Sequence, residues 1–156
     1  LLVKFSSAGG ELQPGFTFYN FIRSLSVRIP ISVVNMGSID SIAVIMYLAF
    51  NDRQAVTNSQ FLLHDFNWNF PNPTTVDHSR LVEYVASLNA DAKRYVEIFR
   101  ERTANAKSKI DIDSCLHGCP LILGASAAIE AGIAGKITSP EDANATNAVE
   151  WWVTGI

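Results

Sequence analysis

The stretch "PISVVNMGSIDSIAVIMYLAF", residues 30–50, restricts the possible folds more than any other part of the chain. It opens with a β-branched run bounded by Pro30 and Gly37 and closes with ten residues, 41–50, that carry no charge. The first part reads as a buried strand and the second as a buried helix, because each is apolar on every side and needs cover on every side. The same alternation flanks it. "LLVKF" (1–5) reads as a strand running into the glycine turn "SSAGG". Phe16, Tyr19, Ile22 and Ser26 recur at helical spacing and predict a helix over residues 15–27. "QAVTN" and "SQFLLHDF" are two further strand-like runs, the second closing at His64. Strand, helix, strand, helix, strand implies an α/β chain with a mostly parallel sheet covered on both faces.

Beyond residue 66 the pattern changes. "NWNFPNPTTVD" (67–77) is rich in turn formers. Leu81, Val85, Leu88, Ala92, Tyr95 and Phe99 then step by four, three, four, three and four, predicting one long helix over 76–106 with Thr75 or Asp77 as its cap. A helix of that length with a single apolar stripe either projects from the core onto a partner or lies across its own domain. "SAAIEAGIAGKI" (126–137) reads as a short helix, a stop at Gly132 and a last strand, and the tail (138–156) ends near Trp151 and Trp152.

The 156 residues suit one domain with a real core. A net charge of −3 without a run of like charges gives no reason to expect nucleic acid or a membrane surface as partner. Ten uncharged apolar residues are about half of a bilayer crossing. Two cysteines do not make a disulfide scaffold, so a cytoplasmic home is the default expectation. Cys115, His117 and Cys119 fall short of the four ligands of a closed zinc site, and neither a metal nor a cofactor is expected.

Three positions carry possible chemistry. Ser41 stands where a strand meets a helix, so the helix's unpaired N–H groups can face a developing oxyanion. The bland alternative is that Ser38, Asp40 or Ser41 is only a helix cap. His64 closes a strand, where a histidine is as readily structural as basic. Asp111 and Asp113, two apart in "KIDIDSC", share a face if that segment is extended.

Taken together, "SSAGGELQPGFTFYNFIRSL", "PISVVNMGSIDSIAVIMYLA" and "TNSQFLLHDF" resemble the proteolytic subunit of the ATP-dependent Clp protease (ClpP) family. The family's S-P-G-G turn, G-x-x-x-S nucleophile turn and N-S-x-x-x-x-H strand end occur in order. "ASAAIEAGIAGKI" resembles its S-A-x-E-A-x-x-x-G stretch, so the likeness covers about residues 1–138. The family's opening β/α segment is missing, and a segment before Leu1 is expected. The resemblance implies a ClpP/crotonase-like fold of repeated β-β-α units with a projecting handle helix. It implies Ser41 as nucleophile, His64 as general base and Asp113 as the orienting acid, with the backbone N–H groups of Gly10 and Ile42 as oxyanion donors. It also implies a serine endopeptidase acting on unfolded polypeptides, a homo-oligomeric ring stacked through the long helix, and an AAA+ ATPase unfoldase as partner.

The sequence departs from that pattern at Ala8, Asp40 and Ala43. A carboxylate beside the nucleophile opposes an oxyanion unless it points elsewhere, toward a subunit contact or an arginine such as Arg23 or Arg28. A catalytically inactive ring subunit and a crotonase-like acyl-CoA enzyme are the alternative readings. A serine–lysine peptidase would have to draw on Lys93, Lys107 or Lys109, and His64 fits better.

Overall fold

The computed structural model describes residues 1–68 and 75–142. The alternating half forms β1 (Leu2–Ser7), α1 (Leu12–Leu25), β2 (Ser32–Asp40), α2 (Ile42–Leu48), β3 (Asp52–Val56) and β4 (Gln60–Leu63). The rest forms α3 (His78–Arg102), α4 (Ile112–Cys115), β5 (Leu121–Gly124), α5 (Ala125–Glu130) and β6 (Lys136–Thr138). The paired tryptophans, and the part of the 67–77 loop between 69 and 74, lie outside the described residues.

β2 is the pivot of a mostly parallel sheet. Its first half, Ser32 to Asn35, pairs in parallel with β1 on one side and β3 on the other. Its second half, Ser38 to Asp40, pairs in parallel with β4, which takes over the place of β3. A strand that changes partner midway leaves backbone groups without a ladder, and the fully buried Asn35 fills that gap. Its Nδ2 donates to Gln60 O at 2.9 Å, and its Oδ1 accepts from the Gly37 N–H at 3.0 Å. Such a buried amide is worth keeping only because both ends are satisfied. β6 extends the sheet in parallel beyond β3, whereas β5 runs antiparallel to β4.

α2 is buried along almost its whole length: Ile42, Ala43, Val44, Ile45, Tyr47 and Leu48 have at most 1% exposure. Burying one such large aliphatic side chain stabilises by roughly 1.5–3 kcal/mol, which explains a run with no polar face. α1 crosses α2 closely because Gly15 lacks a side chain, and a Cβ there would sit 2.2 Å from Ile42 Cγ1. α1 starts at Leu12, ahead of the expected residue 15, since Pro14 occupies the first turn, where its missing N–H has no intrahelical partner to lose.

α3 is clamped along α2 at two points. Tyr95 Oη donates to Ser41 O at 3.1 Å, and seven residues later Arg102 donates to Leu48 O (2.8 Å) and Phe50 O (2.9 Å). The partly buried Arg53 adds donors to the same carbonyls and to Arg102 O and Gly132 O. Burial, and then the neighbouring Arg102 charge, lower its pKa to about 10. Cations at the carbonyl end of a helix complement its dipole. The other half of α3 leaves Leu81, Val82 and Val85 about half exposed, so this long helix projects its N-terminal part from the core. Asp77 caps it, accepting from the Arg80 N–H at 2.8 Å.

One expectation needs correction here. Residues 111–115 are not extended: Asp111 caps a single helical turn, accepting from Ser114 N–H and Oγ, so Asp111 and Asp113 do not share a strand face. Asp111 Oδ2 takes the Ser114 hydroxyl at 2.7 Å, which holds its carboxyl below the ordinary range.

Candidate active site

Register builds the centre of the site. Asp40 pairs with Leu62 in the parallel β2–β4 ladder, and the Ser41 N–H continues it by donating to Leu62 O at 2.9 Å. The ends of two adjacent parallel strands lie about 5 Å apart. Ser41 and His64 therefore emerge side by side without any side chain having to bring them there. Both line one cavity of about 820 Å³, together with Gly10, Leu12, Phe66, Trp68, Leu88 and others.

Ser41 has φ 58° and ψ −131°, a conformation a non-glycine residue adopts only at a cost of about 1–3 kcal/mol. Its backbone is held in place from three directions. The N–H is bonded to Leu62 O, and the carbonyl accepts from the Val44 N–H at 3.1 Å and from Tyr95 Oη. Gly9, at φ 97°, backs directly onto it; a Cβ there would lie 2.8 Å from Ser41 Cβ. Ser41 occupies the position before α2, yet its side chain makes no capping bond. The simple cap reading of this serine therefore does not describe its hydroxyl, and Ser41 lines the cavity.

His64 Nδ1 lies 2.6 Å from Asp65 O. A carbonyl oxygen can only accept, so Nδ1 is the donor here, and in the neutral imidazole that leaves Nε2 as the basic nitrogen, the tautomer a general base needs. Asp113 is not on the cavity wall: its carboxylate is paired with Arg100. Ser41 and His64 are thus brought together, and Asp113 is not brought to His64. Gly10, at φ 147°, lines the cavity, and Ile42 contributes the first N–H of α2 while its side chain is buried.

Asp40 turns to the opposite face of β2, as alternation along a strand dictates. Its Oδ1 accepts from Ser38 Oγ at 2.5 Å, and it is not among the residues lining the cavity. Its partner is this hydroxyl and not an arginine; Arg23 bonds to Asn51. Two participants escaped sequence reasoning. Tyr95 read as one more residue of an apolar stripe, although a buried tyrosine needs a partner for its hydroxyl. Gly9 was noticed only as half of a turn.

A model of the Clp protease family matches residues 1–141. The chain belongs to the Clp protease family. The match begins at Leu1 and runs through α3 to the end of β6, so the strand-end corner and the projecting helix both lie within Clp protease sequence. Among solved structures, a mutant of ClpP1 from Listeria monocytogenes shares the fold, with a TM-score of 0.73 and 18% identity over 92% of this chain and 75% of that one. No curated protein matches the chain. Among the described residues no helix is long and apolar enough to cross a membrane, and no group of three or more His, Cys, Asp or Glu could hold a metal ion.

Proposed function

We propose that the chain is a Clp protease-like serine endopeptidase that hydrolyses peptide bonds of unfolded polypeptides. The observation that carries this reading is the convergence of Ser41 and His64 at neighbouring strand ends, with His64 Nδ1 on the Asp65 carbonyl and the serine hydroxyl uncommitted to capping. His64 Nε2 takes the proton as Ser41 Oγ attacks the scissile carbonyl, then delivers it to the leaving amine. The N–H groups of Gly10 and Ile42 receive the oxyanion; one such donor is typically worth about 10²–10³ in rate. Water repeats the sequence to release the acyl group.

Asp113 is assigned as the third member of this set; to act on the imidazole it must leave its pair with Arg100 and replace the Asp65 carbonyl at Nδ1. Both partners of that pair are at least half exposed, and exposed pairs contribute only about 0–1 kcal/mol. The opening is therefore energetically accessible. The ring, its stacking through the exposed apolar half of α3 and the AAA+ partner belong to the same proposal, supported by family membership and by the exposure of Leu81, Val82 and Val85.

The Asp113–Arg100 pair, together with the Asp65 carbonyl at His64 Nδ1, also favours a second reading, an inactive ring subunit in which the acid does not engage the imidazole. A fluorophosphonate probe separates the two. Labelling that is lost in Ser41→Ala supports the enzyme, and an unreactive Ser41 in the assembled ring supports the inactive subunit.

A further inference from the structure

The cavity beside Ser41 has an uneven charge. Glu11, Asp65 and Asp91 line it, while none of its described lining residues is a lysine or arginine. The carboxylates of Glu11 and Asp65 have no side-chain partner among the described residues. Asp91 has one, and it is neutral: Gln13 Nε2 donates to its two oxygens at 2.8 and 3.1 Å, bridging α1 to α3. Arg94, three residues on along the same helix, lies over the Phe16 ring at 4.0 Å and does not line the cavity.

Position along α3 gives this acid a place in the site. Tyr84, Leu88, Asp91 and Tyr95 step by four, three and four and so share one face of the helix. Tyr95 touches the nucleophile's backbone, and Asp91 stands about one turn, roughly 6 Å along the axis, from Tyr95. Leu88, Phe66 and Trp68 supply the apolar part of the wall, and Tyr84, behind Trp68, packs on it with ring centroids 4.4 Å apart and planes tilted by 34°. An aliphatic stem lying along Leu88, Phe66 and Trp68, with its cationic head at Asp91, fits both parts of the wall. A carboxylate offers a guanidinium two parallel acceptors, and an aromatic rim adds attraction for a cation.

We propose that this cleft selects a cationic residue, arginine or lysine, next to the scissile bond, with Asp91 as the main determinant and Glu11 and Asp65 as its electrostatic surround. This rests on the reading of Ser41 and His64 as the reacting pair, so the test is made to separate the two. Fluorescein-labelled octapeptides that differ only in a central Arg, Leu or Glu are titrated by anisotropy into the full chain carrying Ser41→Ala, where turnover cannot contribute. The arginine peptide binds at least tenfold tighter than the leucine peptide, and the glutamate peptide weakest. Asp91→Asn, which keeps one acceptor for Gln13 Nε2, lowers arginine binding to the leucine level. In the otherwise unaltered protein, raising salt narrows the preference. Equal or tighter binding of the leucine peptide overturns the proposal, as does an arginine preference that survives Asp91→Asn combined with Glu11→Gln. A Ser41 that is inert to fluorophosphonate while the arginine preference holds would remove the hydrolase reading and leave the selectivity standing.

Discussion

Ser41 and Asp113 each stand at the opening of a short helix, but they are held in different ways. Ser41 is fixed through its backbone, by ladder register, the Tyr95 hydroxyl and the bare face of Gly9, beneath a helix that is almost wholly buried. Asp113 rides on a four-residue turn and is directed by its pair with Arg100, an exposed side-chain contact. A position set by strand register can change only if the sheet changes. A position set by a solvated ion pair can change at a cost of about 0–1 kcal/mol. The nucleophile corner is therefore the rigid half of the proposed site, and the Asp113 side is the half that can adjust, for instance when neighbouring subunits pack.

The sharpest way to break this contrast is Gly9→Ala. The new methyl meets Ser41 Cβ at 2.8 Å on a backbone at φ 97°, so either Ser41 or the Gly10 amide must move. Ser41 phosphonylation falls by at least about a hundredfold, the scale of a lost oxyanion donor. An unchanged rate would mean that the corner is not rigid. Tyr95→Phe removes one of the three restraints and slows phosphonylation about tenfold, equivalent to ~1.4 kcal/mol, while thermal unfolding shifts only slightly. Arg100→Gln tests the adjustable half. Phosphonylation rises by a few-fold as Asp113 is freed, and Asp113→Asn cancels the gain; a loss of activity in Arg100→Gln alone would show that the pair supports the site.

The smallest effect concerns the support of α3, the helix that carries Tyr95. The Asp77 carboxyl accepts from the Arg80 N–H and then from Ser79, which holds its pKa below the ordinary carboxylate value. Because the folded value is the lower one, the cap's contribution is present above the ordinary carboxylate range and is lost as pH falls through the folded value. The difference in Tm between the native chain and Asp77→Ala is largest near neutral pH and shrinks in acid. A difference that grows in acid would contradict this.

Much of the rigid half was legible in the residues. β-branched runs and charge-free helices announce a parallel sheet, and "MGSIDS" and "LLHDF" each end a strand, so parallel pairing alone brings Ser41 beside His64. Less could be read where side chains rather than periodicity decide. That α3 would donate a hydroxyl to Ser41 O depends on how it lies along α2, which Arg53 and Arg102 fix through contacts far apart in sequence. The turn at 111–115 looked extended because "IDID" alternates; the Asp111 cap overrides that alternation. For Asp40 the sequence suggests a subunit contact or an arginine such as Arg23 or Arg28, whereas within the chain Ser38, on its own strand face, donates to it.

The claim on which the account depends is that His64 activates Ser41. It is tested most directly by mapping the fluorophosphonate adduct by mass spectrometry in the native chain and in His64→Ala. The account predicts a phosphonyl group on the peptide containing Ser41 that forms at least about a hundredfold more slowly without the imidazole. An adduct on another residue, or the same rate on Ser41 in both proteins, would contradict it.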